Sequence, residues 1–263
     1  MMRSIKAALW VEMLKVRRTR ILPISTGFFI FIGVMIGLLM FLSVHPEIAT
    51  RSSAIRMKTS FLGGSDWKAF YDLLIQLNLT IGVIGSGFIT SWCFGREFSD
   101  RTVKDILALP VRRSTIVVAK LMVLLVWSIM LSFTVLVAAL LTGFATGIPD
   151  WKFTEFLPFL KLYLVLTLLN SLLITPVALV ASAGRGYMLP ISFVILIMIL
   201  TQLLFLGLPG LSFWFPWALP ALFSGVAGIS IPSPGLFGYL IYSLTVLAGL
   251  FGTMAWWRFA DHK

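Results

Sequence analysis

Arg96-Glu97-Phe98-Ser99-Asp100-Arg101-Thr102-Val103-Lys104-Asp105 is a charged stretch set between long apolar runs, one ending near Phe94 and the next beginning near Thr115. An apolar run of roughly 20 residues is what an α-helix needs to cross the hydrocarbon core of a bilayer. Two such runs on either side of a charged segment read as two membrane-spanning helices, with the charged residues left in water. The rest of the chain repeats the pattern.

Of 263 residues, 59% are hydrophobic and 12% are charged, and the mean hydropathy is +1.00. A soluble domain carries about 25% charged residues, so the composition describes a membrane protein. Apolar runs place spans at 21–44, 70–94, 115–144, 157–183, 188–208 and 235–257, within one permease-sized domain covering 1–263. The fold class that follows is all-α, a polytopic membrane protein with six transmembrane helices. The first run is longer than the roughly 7 to 15 residues of a signal-peptide core, so it is expected to remain as a span.

Residues 1–20 form a basic, apolar-rich lead-in. Ile5, Leu9, Met13 and Val16 share one helical stripe, which predicts an interfacial helix on the membrane surface. From Gly186 to Trp257 the sequence has no Asp, Glu, Lys, Arg or His. Two spans use about 40 to 45 of those residues. The remainder, with Trp214, Pro216, Trp217, Pro220, Pro232 and Pro234, suits short helices dipping into the outer interface.

The net charge of +11 would suggest nucleic acid if the basic residues formed one patch. They gather instead at Lys6 to Arg20, Arg96 to Lys120, Arg185, Arg258 and Lys263, at the ends of apolar runs. That is the positive-inside pattern. It places both termini in the cytoplasm, favours membrane lipid over nucleic acid as the partner of the basic residues, and makes the plasma (inner) membrane the expected location.

Within the charged stretch, Glu97 and Arg101 are four residues apart, as are Asp100 and Lys104, an order that supports an exposed helix. Phe98, Val103, Ile106 and Leu107 supply an apolar stripe, and Pro110 ends it. A short amphipathic helix along the inner membrane face is predicted. Two roles fit these residues equally: a helix that only fixes topology, and one that docks another protein.

Glu97-Phe98, Arg101-Thr102-Val103-Lys104, Leu107, Pro110-Val111-Arg112-Arg113 and Lys120 together resemble the pattern between the second and third spans of type-2 ATP-binding-cassette (ABC) transporter permeases, antibiotic and peptide exporters among them. Arg101 stands where that family has Gly, and Arg112 where it has Ser or Thr. The resemblance implies a coupling helix here, an outer helical hairpin between the fifth and sixth spans, and docking on a soluble ABC ATPase subunit. By that resemblance Glu97, Phe98, Arg101, Thr102, Lys104, Leu107, Pro110 and Arg113 would couple the permease to the ATPase. It also implies pairing with a second copy or a sibling permease, and export of an amphiphilic or peptide antibiotic-like compound.

The sequence has no G-x-x-x-x-G-K-[ST] phosphate loop. ATP and Mg would be bound by the partner, and no cofactor is expected in this chain. Neither a catalytic nor a metal site is expected. Two distant His and one Cys do not make a metal cluster, and Val83-Ile84-Gly85-Ser86-Gly87 lacks the first glycine of a serine-hydrolase elbow. An ion-coupled carrier remains a second reading, although the middles of the spans carry no ionisable residue. A permease-like subunit that senses a membrane-active compound without exporting it is a third. Asn78, Asn170 and Gln202 are the candidate substrate-pathway residues, with interhelix bonding as their alternative role.

Overall fold

The computed structural model describes residues 2–45, 64–100, 102–103, 111–225 and 234–259. Its helices are α1 (Met2–Arg17), α2 (Ile21–Val44), α3 (Trp67–Ser99), α4 (Arg113–Ala145), α5 (Phe153–Leu172), α6 (Ile174–Ala183), α7 (Met188–Gly207), α8 (Leu219–Ser224) and α9 (Leu236–Phe259). No strand occurs among the described residues. Six segments are long and apolar enough to cross a membrane: α2, α3, α4, α5 with α6, α7 and α9.

Local chemistry sets several helix ends. The Asp66 side chain accepts a hydrogen bond from the Ala69 amide and caps α3. α4 stops at Ala145, where Gly147 turns back at φ +68°. The break between α5 and α6 follows from Pro176, which cannot donate to the Leu172 carbonyl. Thr175 takes over that role: its Oγ1 lies 3.2 Å from the Leu172 oxygen and 2.8 Å from the Val246 oxygen of α9. One hydroxyl hydrogen is thus shared between the freed carbonyl and a neighbouring helix, a way in which membrane helices tolerate proline.

α4 is the central column. Around its first half pack Val16, Phe94 and Trp257; around its second half pack Met40, Trp67, Phe70, Tyr71, Phe159 and Tyr163. Close backbone approach needs small residues. Gly33 and Gly37 of α2 lie directly on α4, facing Ala138, the Val135 carbonyl and Thr142. Gly249 of α9 faces the backbone of Thr175 and Pro176. α2, α7 and α9 turn their remaining large apolar side chains outward, towards lipid.

Three expectations change. Glu97 and Phe98 do not open a separate helix: α3 continues through them to Ser99, and the turn closes when Thr102 donates from its amide to the Glu97 carbonyl, 3.0 Å away. Arg101, Lys104, Leu107 and Pro110, with most of the expected coupling helix, lie outside the described residues. In α1 the inward stripe is Leu9, Glu12 and Val16, while Met13 is exposed. An acid replaces the expected methionine because it finds cations below it. Between α7 and α9 the described residues form two 3₁₀ turns, Pro209–Trp214 and Pro216–Ala218, followed by the short α8.

Candidate functional site

α1, α3 and α4 converge on four charged side chains. Lys120 lies about two turns inside α4 and is 1% exposed. Its Nζ pairs with Glu97 Oε1 at the end of α3 and lies 3.0 Å from Glu12 Oε2 of α1. Lys15 closes the group from the solvent side, 2.7 Å from Glu12 Oε1 and 3.1 Å from Glu97 Oε1. The Phe94 ring lies beneath Lys120, 5.7 Å from Nζ. Two acids and two lysines balance, as burial requires.

Burial alone would raise the Glu12 carboxyl. The charges of Lys120 and then Lys15 outweigh it and hold the group below the ordinary 4.5. Stability from this group is therefore present above 4.5 and is lost as pH falls through the lower folded value. Melting curves of the detergent-solubilised protein should show an acid-side loss below 4.5 that is smaller in Glu12→Gln. Equal slopes in the two proteins would refute the pairing.

The cluster forms the floor of a cleft of about 370 Å³, whose walls include Trp92, Arg96, Asp100 and Thr102. Arg96 pairs with Asp100 at 3.0 Å, and Glu97 Oε2 has no protein partner. Among the described residues no group of three or more His, Cys, Asp or Glu could hold a metal ion. The arrangement locks the first helix to the end of α3, immediately ahead of residues 101–110 in the sequence.

A second, uncharged cleft of about 330 Å³ lies between α3, α5 and α7, bordered by Gln76, Thr80, Asn170, Gln202 and Trp217. Asn170 donates to the Asn78 carbonyl at 3.0 Å, but its Oδ1 is buried without a partner. Asn78 donates to Thr167 Oγ1 at 2.8 Å and ties α3 to α5.

A profile described as ABC-2 family transporter protein matches residues 8–201, from within α1 to within the fifth span, α7. The chain belongs to the ABC-2 transporter family. This ABC-2 chain is 28% identical over 195 residues to the Bacitracin transport permease protein BCRB of Bacillus licheniformis, covering 74% of this chain and 92% of that protein. No solved structure matches it. It is accordingly a multi-pass membrane permease of an ABC transporter, which sets aside the ion-coupled carrier.

The residues expected at the ATPase-coupling site of this ABC-2 permease separate. Glu97 is buried in the charge cluster, Phe98 packs at 6.2 Å against the Trp257 ring, and Thr102 borders the cleft. Arg113 instead sits at the start of α4 and donates to the Trp257 and Arg258 carbonyls of α9. Of the substrate-pathway trio, Asn170 and Gln202 share the uncharged cleft, whereas Asn78 lies outside its lining, with its Nδ2 bonded to α5 and its Oδ1 buried without a partner. Glu12 was not expected. Its signal was available, because it is the lone acid ahead of Glu47 and sits between Leu9 and Val16 on the inward stripe. Lys120, grouped by sequence with the water-facing basic residues, is part of the interior.

Proposed function

We propose that this permease exports an amphiphilic compound of the peptide-antibiotic type, paired with a second copy or a sibling and driven by a separate ATP-binding subunit. The observation that carries the substrate class is a cleft lined by the amides of Gln76, Asn170 and Gln202 and the hydroxyls of Thr80 and Thr201, with no charged side chain and with the Asn170 carbonyl at its border buried and unpartnered. A buried acceptor without a donor costs free energy, and a ligand N–H or O–H would recover it. Leu79, Met198, Phe205 and Trp217 provide apolar walls beside these groups. Such a lining suits a neutral amide or hydroxyl on a greasy body better than an ion. The bacitracin transport named for its relative points to the same class.

ATP and Mg belong to the partner, since the sequence has no phosphate loop. Its motion would reach the bundle through the segment beyond Glu97, with Arg101, Lys104, Leu107 and Pro110 as the contact residues and both termini on the same, cytoplasmic, side. The charge cluster would pass that motion to α1 and α4.

The test is antibiotic tolerance in a susceptible host carrying the permease and its ATPase. Gln202→Leu, at an exposed position on α7, should reduce tolerance and efflux by several-fold to about tenfold, the worth of one hydrogen bond. Wild-type efflux in both Gln202→Leu and Asn170→Leu would overturn the assignment of the cleft. Tolerance that depends on the permease without any change in accumulation would mark a sensing subunit instead.

A further inference from the structure

A third cavity, separate from both clefts, lies between the start of α4 and the end of α9. Its volume is about 600 Å³, and Arg112, Arg113, Ser114, Met254, Arg258 and Phe259 line it. Three guanidinium groups meet there, and no acidic residue is among the lining. Arg113 is committed to building the cavity, since its Nη1 donates to the Trp257 and Arg258 carbonyls at 3.2 and 3.3 Å and ties α9 to α4. Arg112 and Arg258 are exposed and make no ion pair among the described residues.

Three charges of one sign, with no counter-ion lining the cavity among the described residues, call for an anion. A guanidinium offers paired N–H donors that match two oxygens of a phosphate. The other half of the lining is apolar: Phe259 is 75% exposed beside Arg258, and its ring lies 5.1 Å from the guanidinium carbon. Both helices are long and apolar enough to span a membrane, and the three arginines stand at the ends of their apolar runs, where headgroups are expected. Charge towards water and aromatic carbon towards hydrocarbon is the polarity of a phospholipid.

We propose that this cavity binds the phosphate group of an anionic phospholipid, with Arg112 and Arg258 on the phosphate oxygens and Phe259 and Met254 against the glycerol and first acyl carbons. The site stands apart from the substrate cleft and does not depend on what that cleft carries. Phosphate is the shared chemistry of a lipid headgroup and a free ion, and the apolar half of the lining selects the lipid.

The test is native mass spectrometry of the whole, delipidated protein after exposure to phosphatidylglycerol or to zwitterionic phosphatidylcholine in mixed micelles. Wild type should retain phosphatidylglycerol in preference, and excess inorganic phosphate should not displace it. Arg112→Gln with Arg258→Gln should weaken retention roughly thirtyfold, the combined worth of two basic residues at an anionic surface, and leave phosphatidylcholine unchanged. Both positions are exposed, so folding should survive, and Arg258→Gln alone serves should the double variant not fold. Arg17→Gln with Arg18→Gln removes the same charge elsewhere and should change nothing. Undiminished retention in the cavity variant, or an equal loss in the Arg17 and Arg18 variant, would overturn the proposal. Displacement by inorganic phosphate would overturn the lipid assignment. Unchanged lipid retention with loss of a copurifying ATPase would give the arginines to a protein partner.

Discussion

Lys120→Met should lower the stability of this permease by about 3–5 kcal/mol, the usual cost of removing one member of a buried ion pair. Methionine keeps most of the side-chain length and its packing over Phe94, so lost volume contributes little. What changes is charge. Glu12 and Glu97, each with a side chain only 6% exposed, would be left together with Lys15, itself 38% exposed, as the sole remaining cation in the group. Melting of the detergent-solubilised protein measures the loss, and an unchanged midpoint would contradict the cluster as described. A triple variant, Glu12→Gln, Glu97→Gln and Lys120→Met, removes the charges together. Buried ionic networks replaced in full by neutral groups are often no less stable, so this protein should recover most of the loss. Its transport then separates two roles. A stable but inactive triple variant means the charges carry motion between α1, α3 and α4, and an active one means they only fasten the helices.

Gly249→Ala should destabilise by about 1–3 kcal/mol, as overpacking does, and Gly249→Leu should prevent folding into the membrane bundle. A Cβ at this position would sit 2.4 Å from the Pro176 nitrogen and 2.5 Å from the Thr175 carbonyl carbon. Both are backbone atoms at a helix break, and neither can swing aside as a side chain would. α9 must therefore move outward, and the 2.8 Å bond from Thr175 Oγ1 to the Val246 carbonyl goes with it. Gly252→Ala is the matched control, since its new methyl meets only the flexible end of Leu179. Gly27→Ala enters open space and should be neutral or slightly stabilising, because alanine is the better helix former by about 1 kcal/mol. If Gly249→Ala melts like Gly27→Ala, the close crossing of α6 and α9 is wrong.

The six apolar helices were legible because each is announced by a local run of residues. Partner choice was not. Glu97 has Arg101 four residues away in sequence, and helical spacing pairs them. The folded chain gives Glu97 to Lys15, 82 residues distant, and to Lys120. Nothing local encodes that α1 lies back across α4. The same limit applies to the polar residues within the spans. Asn78, Asn170 and Gln202 stand out against their apolar neighbours, but which of them bonds to a helix and which faces a cleft depends on how α3, α5 and α7 are rotated. Gly33 and Gly37 are spaced for close packing in plain sight. Gly82, Gly85 and Gly87 of α3 are spaced no less favourably, so spacing alone does not say which of the two sets meets a neighbouring backbone. Gly85 and Gly87 face the side chains of Phe29 and Val194, whereas Gly33 of α2 meets the backbone of α4 and Gly249 of α9 that of α6.

The charge cluster also orders events at the ribosome. Glu12 is made 108 residues before the lysine that neutralises it. Until the third span is made, Glu12 and Glu97 have only Lys15 within the group, one cation short of balance. Lys120 completes the balance and joins the first helix to the third span. Chains that stall earlier keep an unsatisfied acid pair, a mark by which the cell's membrane proteases could tell an unfinished molecule from a finished one.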